Sequence, residues 1–163
     1  MKTLVVYYSF EGNTKYAAEL ITQKLDSTVI SLEPVKDYPR GNVGKFIWGG
    51  KAATFSEKPK LKPYKCSVDD YDMIIIGTPV WNSRITPPIN TFLHENDIKD
   101  KVVAIFASSA SGDAEKCISR MKQKLNHVIG TLSLINAAES KGQTEEKVDV
   151  FIGELKGKFQ FGK

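Results

Sequence analysis

The chain has 163 residues, 41% of them hydrophobic and 26% charged, a balance that fits one globular domain over residues 1–163 whose core needs neither disulfide nor metal. Its 23 Lys and Arg against 19 Asp and Glu leave a net charge of +4, too slight to mark a nucleic-acid binder, and no nucleic-acid-binding motif accompanies it. No apolar run approaches membrane-spanning length, the start is too short for a signal-peptide core, and Cys66 and Cys117 form no Cys-x-x-Cys pair or zinc-like cluster, so a soluble, cytoplasmic protein without membrane insertion or metal is expected.

Residues 3–8 read as a strand. Ala17, Leu20, Ile21 and Leu25 then recur at helical spacing, which predicts a helix over 13–24. Between the two lies Ser9-Phe10-Glu11-Gly12-Asn13-Thr14. The first N–H groups of a helix have no acceptor within it, and the helix dipole is positive there, so this placement builds an anion site. Ser9 and Thr14 add hydroxyls, and Gly12 lets the backbone turn tightly and approach a ligand. The loop holds no Lys or Arg, so neutral donors would carry a phosphate. G-x-G-x-x-G is absent from this turn. The nearest approach to a Walker A loop, residues 44–51, lacks the Gly-Lys-Ser/Thr ending and follows no convincing strand.

A short second strand covers 29–32. Residues 34–65 are irregular and rich in Lys, Gly and Pro, with one short helix expected around 43–48. Lys36, Arg40, Lys45, Lys51, Lys58, Lys60, Lys62 and Lys65 stand there against only Asp37 and Glu57. That stretch reads first as a solvated basic surface and second as a docking face for an acidic partner or a phosphorylated cofactor. Cys66, directly after it, is expected to be a free thiol without a role. Asp69, Asp70 and Asp72 read as solvated loop charges.

Residues 73–76 form an apolar strand ending at Gly77, followed by the loop Thr78-Pro79-Val80-Trp81-Asn82. Pro79 stiffens this loop and removes one donor. Trp81 can serve as a stacking plate for a flat ring or as a packed indole closing the domain; beside a phosphate loop, stacking is the favoured reading. Asn82, Ser83 and Arg84 supply donors nearby. Thr86-Pro87 has the form of an N-cap with proline at the first helical position, and Ile85, Pro88, Ile89, Phe92 and Leu93 give that helix a buried face.

Residues 102–107 are another apolar strand. The loop Ser108-Ser109-Ala110-Ser111-Gly112-Asp113 that follows is suited to wrap the polar edge of a ring, and Asp113 to cap the next helix; Gly-x-Ser-x-Gly is absent. Ala114, Cys117, Ile118, Met121 and Leu125 mark that helix, with Cys117 on its core face. A last strand covers 131–136. Val148, Phe151, Ile152 and Leu155 mark the final helix. His94 and His127 lie near helix ends, where they favour the dipole, and no Ser or Cys partner is visible for either.

Strands alternating with helices mean an α/β fold, a parallel sheet covered on both faces. The first, third and fourth strands are continuously apolar and belong in the centre; the second and fifth read as edges, which gives the order 2-1-3-4-5. Ligands in such sheets bind beyond the carboxyl ends of the strands, at the switch between strands one and three, where residues 9–14 and 78–82 should meet.

Tyr8-Ser9-Phe10-Glu11-Gly12-Asn13-Thr14 resembles the FMN phosphate loop of flavodoxins, and residues 71–81 resemble their flavin-ring loop. The run from Pro87-Pro88 to Leu93 and then Lys101 to Ala107 continues the likeness, which covers nearly the whole chain in order. It implies a flavodoxin-like α/β/α sandwich and non-covalent FMN. By resemblance, Ser9, Phe10, Glu11, Gly12, Asn13 and Thr14 hold the phosphate. Thr78, Pro79, Val80, Trp81 and Asn82 cover the isoalloxazine, with Trp81 stacked on it. Ser108, Ser109, Ala110, Gly112 and Asp113 line its other side or edge. Three features depart from the pattern. Glu11 replaces the usual Thr, and a carboxylate there should point outward. The chain is slightly basic where flavodoxin carriers are strongly acidic. Asn82 stands where a glycine would allow a peptide flip toward the flavin.

Three functions follow. The chain passes electrons between redox partner proteins through FMN; or it takes hydride from NAD(P)H and reduces a quinone or similar acceptor; or it keeps the fold for protein binding without redox chemistry.

Overall fold

A computed structural model describes residues 2–39, 57–112 and 114–161. The helix expected around 43–48 lies outside these residues, as do Arg40, Lys45, Lys51 and Asp113. The described elements run β1 (Thr3–Tyr7), α1 (Asn13–Leu25), β2 (Thr28–Ser31), a single 3-10 turn (Val68–Asp70), β3 (Met73–Pro79), α2 (Pro87–Glu95), β4 (Val102–Ser109), α3 (Ala114–Lys122), β5 (Val128–Ile135) and α4 (Lys141–Phe161). All five strands are parallel, in the order β2-β1-β3-β4-β5.

The period-two alternation of the central strands sends side chains to both faces. Leu4, Val6, Ile74, Ile76, Val103 and Ile105 meet Ile89 and Phe92 of α2 and Cys117, Ile118 and Met121 of α3. Val5, Tyr7, Met73, Ile75, Ala104 and Phe106 meet Ala17, Ala18 and Ile21 of α1 and Val148, Phe151, Ile152 and Leu155 of α4. Every residue of β1 is buried, whereas β2 buries Ile30 alone. Each fully buried Ile, Leu or Phe contributes roughly 1.5–3 kcal/mol, so the three central strands and the helices that cover them hold most of the stability.

Two strands outrun their apolar stretches. β3 continues through Thr78 and Pro79, and β4 through Ser108 and Ser109, because the two strands go on pairing: Thr78 lies opposite Ala107 and Pro79 opposite Ser108. The polar residues there had the composition of loops, but the ladder carries them. β5 starts at Val128, ahead of the expected 131, and pairs with β4 across a register shift at Val103/Ala104. The final helix begins at Lys141, a polar turn and more before its first apolar residue.

Close packing constrains Gly77. A Cβ there would sit 2.1 Å from Phe106 Cζ, and Phe106 is fully buried. Pro87 and Pro88 open α2 after Thr86, but the Thr86 side chain makes no capping bond; its Oγ1 lies 3.1 Å from that of Thr78 instead. Downstream of β2, Pro34 and Leu61 form an antiparallel bridge, framed by Val35 N–H to Lys60 O at 2.8 Å and Lys62 N–H to Glu33 O at 2.7 Å. No described helix is long and apolar enough to cross a membrane.

Candidate functional site

Three segments converge at the carboxyl ends of β1, β3 and β4. The first is the turn from β1 into α1. Gly12 takes φ 97°, a left-handed conformation natural to glycine, and nothing lies within 4 Å of where its Cβ would be. Ser9 Oγ accepts the N–H of Gly12 at 3.2 Å and of Lys15 at 3.1 Å, so this hydroxyl folds the loop over the first turn of α1. Its hydrogen is left to donate elsewhere. The N–H groups of Asn13 and Thr14 find no acceptor among the described residues. Glu11 is exposed, as a carboxylate beside an anion site should be. Asn13 turns its Oδ1 away to accept Ala138 N–H at 2.8 Å, which ties the loop to the segment after β5.

The second segment leaves β3. Thr78 is completely buried, and its hydroxyl is spent on Pro79 O and on Thr86. Residues 81–84 then form a tight two-residue hairpin. Trp81 N–H donates to Arg84 O at 3.1 Å and Arg84 N–H to Trp81 O at 3.0 Å. Asn82 and Ser83 between them have φ 51° and 55°. Two positive φ angles in succession define a type I′ turn, and Asn is among the residues that tolerate the first of them. Arg120 of α3 steadies this turn through its Nη1, which donates to Ser83 O at 2.9 Å.

The third segment leaves β4. Ser108 is buried, and its Oγ lies 2.7 Å from Thr14 Oγ1. Its carbonyl accepts Val80 N–H at 2.9 Å. Ser108 therefore touches both other segments. Ser109 Oγ accepts Gly112 N–H at 3.0 Å, closing the exposed turn that holds Ala110, and Ser109 O accepts Asn136 N–H at 2.9 Å. Gly112 takes φ 87°.

Trp81 is half-buried at the centre of an aromatic cluster. Phe10 lies 5.6 Å away, Tyr8 5.9 Å and Tyr38 5.1 Å, each ring nearly perpendicular to the indole. Phe10 was expected near Trp81. Tyr8 and Tyr38 were not singled out: Tyr8 reads as the last strand residue, and Tyr38 lies in an irregular segment without periodicity. Burial pushes the Tyr38 phenol up to about 12, with the Glu57 carboxylate adding to the effect. Asn136 and Ala138 were also missed, because the turn after an edge strand carries no signal of where its N–H groups point.

The other titratable candidates fall away from this point. Cys117 is buried on the α3 core face as expected. Cys66 is a free thiol, and burial first, then the Asp70 carboxylate, pushes it up. Asp69 and Asp70 are exposed on the 3-10 turn before β3, and Asp72 accepts Lys2 N–H at 2.7 Å. Among the described residues no group of three or more His, Cys, Asp or Glu side chains is placed to hold a metal. The arrangement offers oriented neutral donors beside an aromatic plate.

Comparison with known proteins agrees with this fold. Residues 2–151 match the family model described as flavodoxin. A flavoprotein from Lactobacillus acidophilus NCFM, solved in complex with FMN, is similar at 26% identity and a TM-score of 0.70, over 85% of this chain and 95% of that one. The apo-form of that flavoprotein matches over the same shares with a TM-score of 0.61. Oxidised flavodoxin 2 from Bacillus cereus shares the fold, at 20% identity and a TM-score of 0.61 over 96% of this chain and 99% of that one.

Proposed function

Because this chain belongs to the flavodoxin family, we propose that it carries electrons between protein partners through non-covalently bound FMN. The cofactor is FMN, as in the Lactobacillus flavoprotein. The observation that carries the reading is the convergence on Ser108, which joins the anion-binding turn through Thr14 and the tryptophan loop through Val80.

The residues present fit the group. The phosphate belongs at the first turn of α1, where the N–H groups of Asn13 and Thr14, without an acceptor among the described residues, the hydroxyl hydrogen of Ser9 and the positive helix end all favour an anion. One of the paired hydroxyls, Thr14 or Ser108, must donate to the other, so one hydrogen of the pair remains to donate outward. Gly12 keeps the approach open. Trp81 supplies an aromatic face, and the hairpin at 81–84, fixed by Arg120, holds it in place. Residues 109–112, a small polar turn closed by the Ser109 hydroxyl, would line the polar edge of the ring.

FMN accepts and returns electrons one or two at a time, so the protein needs no acid, base or nucleophile of its own. Its work is to bind, to orient and to keep water from the covered face of the ring. The reading is tested by reductive titration of the FMN-loaded protein and by mixing it with NADPH or NADH alone. A carrier takes up electrons in two resolved steps and oxidises neither nucleotide at a useful rate. Fast nucleotide oxidation by the isolated protein would move it to the NAD(P)H-dependent reductases.

A further inference from the structure

Both α2 and α3 pack on the same face of the sheet, and a groove runs between them. It holds two cavities of about 500 and 240 Å³, which share Asn90 and Lys124 in their walls. One end opens at Arg84, whose backbone is paired with Trp81; the other reaches Lys99, beyond the end of α2. The groove therefore starts beside the site of the proposed cofactor and leads away from it.

Its lining has a definite chemistry. Leu93 of α2 and Leu125, just past α3, are half-buried and supply apolar contact. Five cations are spread along it: Arg84 and Arg120 near the tryptophan hairpin, Lys124 where the two cavities meet, and Lys58 and Lys99 in the walls of the larger one. Asp97 is the one carboxylate among the described lining residues, and it stands 3.8 Å from Lys99. Arg84, Lys58 and Lys124 have no carboxylate at ion-pair distance among the described residues.

We infer that this groove docks an acidic, amphipathic segment of a partner protein. The cations are distributed along the groove and do not converge on one point, as a site for a single phosphate would require. Apolar side chains interleaved with them suit a peptide that presents Leu or Phe between Glu or Asp residues. Charge of one sign in a cleft steers such a partner and fixes its register. That the partner is an electron donor or acceptor rests on the carrier reading above; that an acidic segment binds here does not.

The test uses the full-length protein loaded with FMN and a fluorescein-labelled amphipathic peptide of Glu, Leu and Ala, with a peptide of Lys, Leu and Ala as its reverse. Fluorescence anisotropy should show salt-sensitive binding of the acidic peptide only. Lys99→Glu with Lys124→Glu should weaken it by about tenfold or more, since opposed charges then face the peptide. Lys99→Gln with Lys124→Gln should weaken it less, and FMN affinity should stay the same in both variants. The inference is overturned if the acidic peptide fails to bind, if both peptides bind alike, or if the reversal leaves binding unchanged. Inorganic triphosphate bound at this groove in place of the peptide would also overturn it, in favour of a small-anion site. Failure of FMN binding would defeat the cofactor reading and leave the groove standing on the peptide result.

Discussion

Thr14 Oγ1 and Ser108 Oγ lie 2.7 Å apart in the interior, although 94 residues separate them in the chain. Thr14 stands in the first turn of α1, and Ser108 near the carboxyl end of β4. This single bond locks the anion-binding turn to the sheet. A buried hydroxyl left without its partner costs roughly 1–3 kcal/mol, more than the net worth of the bond itself. Thr14→Val should therefore destabilise the apoprotein by about that amount in urea unfolding. Thr14→Val combined with Ser108→Ala should cost less than the two single changes added together. Strict additivity would show that the two hydroxyls do not interact.

Trp81→Ala should leave the far-ultraviolet circular dichroism intact and weaken FMN binding by about tenfold or more. The indole meets three rings, and each such pair is worth roughly 0.5–1.5 kcal/mol beyond simple burial. Thermal stability should fall as well, because Tyr8, Phe10 and Tyr38 lose their common neighbour. An unchanged dissociation constant for FMN would remove Trp81 from the cofactor site.

Tyr38 makes a pH-dependent contribution. Its phenol is pushed from 10.0 to about 12 in the folded chain, first by burial and then by Glu57. The folded state thus holds its proton where the unfolded state has begun to release it. The stabilisation is fully present below pH 10 and is lost as the pH rises from 10 to about 12. Tyr38→Phe should flatten the fall in stability across that alkaline window. Denaturant midpoints measured on both proteins at a series of pH values check this; parallel curves would show that Tyr38 titrates normally.

Gly77→Ala should be among the most damaging single-methyl additions. The new Cβ would collide with Phe106, a fully buried ring, in the centre of the β3–β4 pair. Overpacking of this kind costs roughly 1–3 kcal/mol and sometimes more. Gly77→Ala with Phe106→Leu should recover part of the loss. If Gly77→Ala melts at the wild-type temperature, the sheet relaxes more easily than this packing implies.

How much of this was legible in the chain follows from distance along it. The turn at 9–14 is local: a strand, a hydroxyl-rich turn with Gly12 and a helix-spaced stripe stand in immediate succession, so its place at a helix start was readable. The sheet order was readable too, because continuous apolar runs mark β1, β3 and β4 as central. The exact ends of β3 and β4 were not. Thr78, Pro79, Ser108 and Ser109 are polar or breaking residues that become strand only because each strand pairs with the other. Tyr38 was beyond reach for a different reason. The bridge between Pro34 and Leu61 lies just ahead of it, and nothing in the local pattern announces that bridge. Thr86 shows the limit of motif reading: the proline places the helix start correctly, while the threonine hydroxyl turns to Thr78.

The most direct test of the central claim is titration of the apoprotein with FMN and, in parallel, riboflavin, followed by quenching of flavin fluorescence. Two hydrogen bonds to a charged phosphate, each worth roughly 1.5–3 kcal/mol, should make FMN bind at least about a hundredfold more tightly. Equal affinity for the two flavins would contradict the phosphate site at 9–14, and no quenching by either in a folded protein would contradict flavin binding altogether.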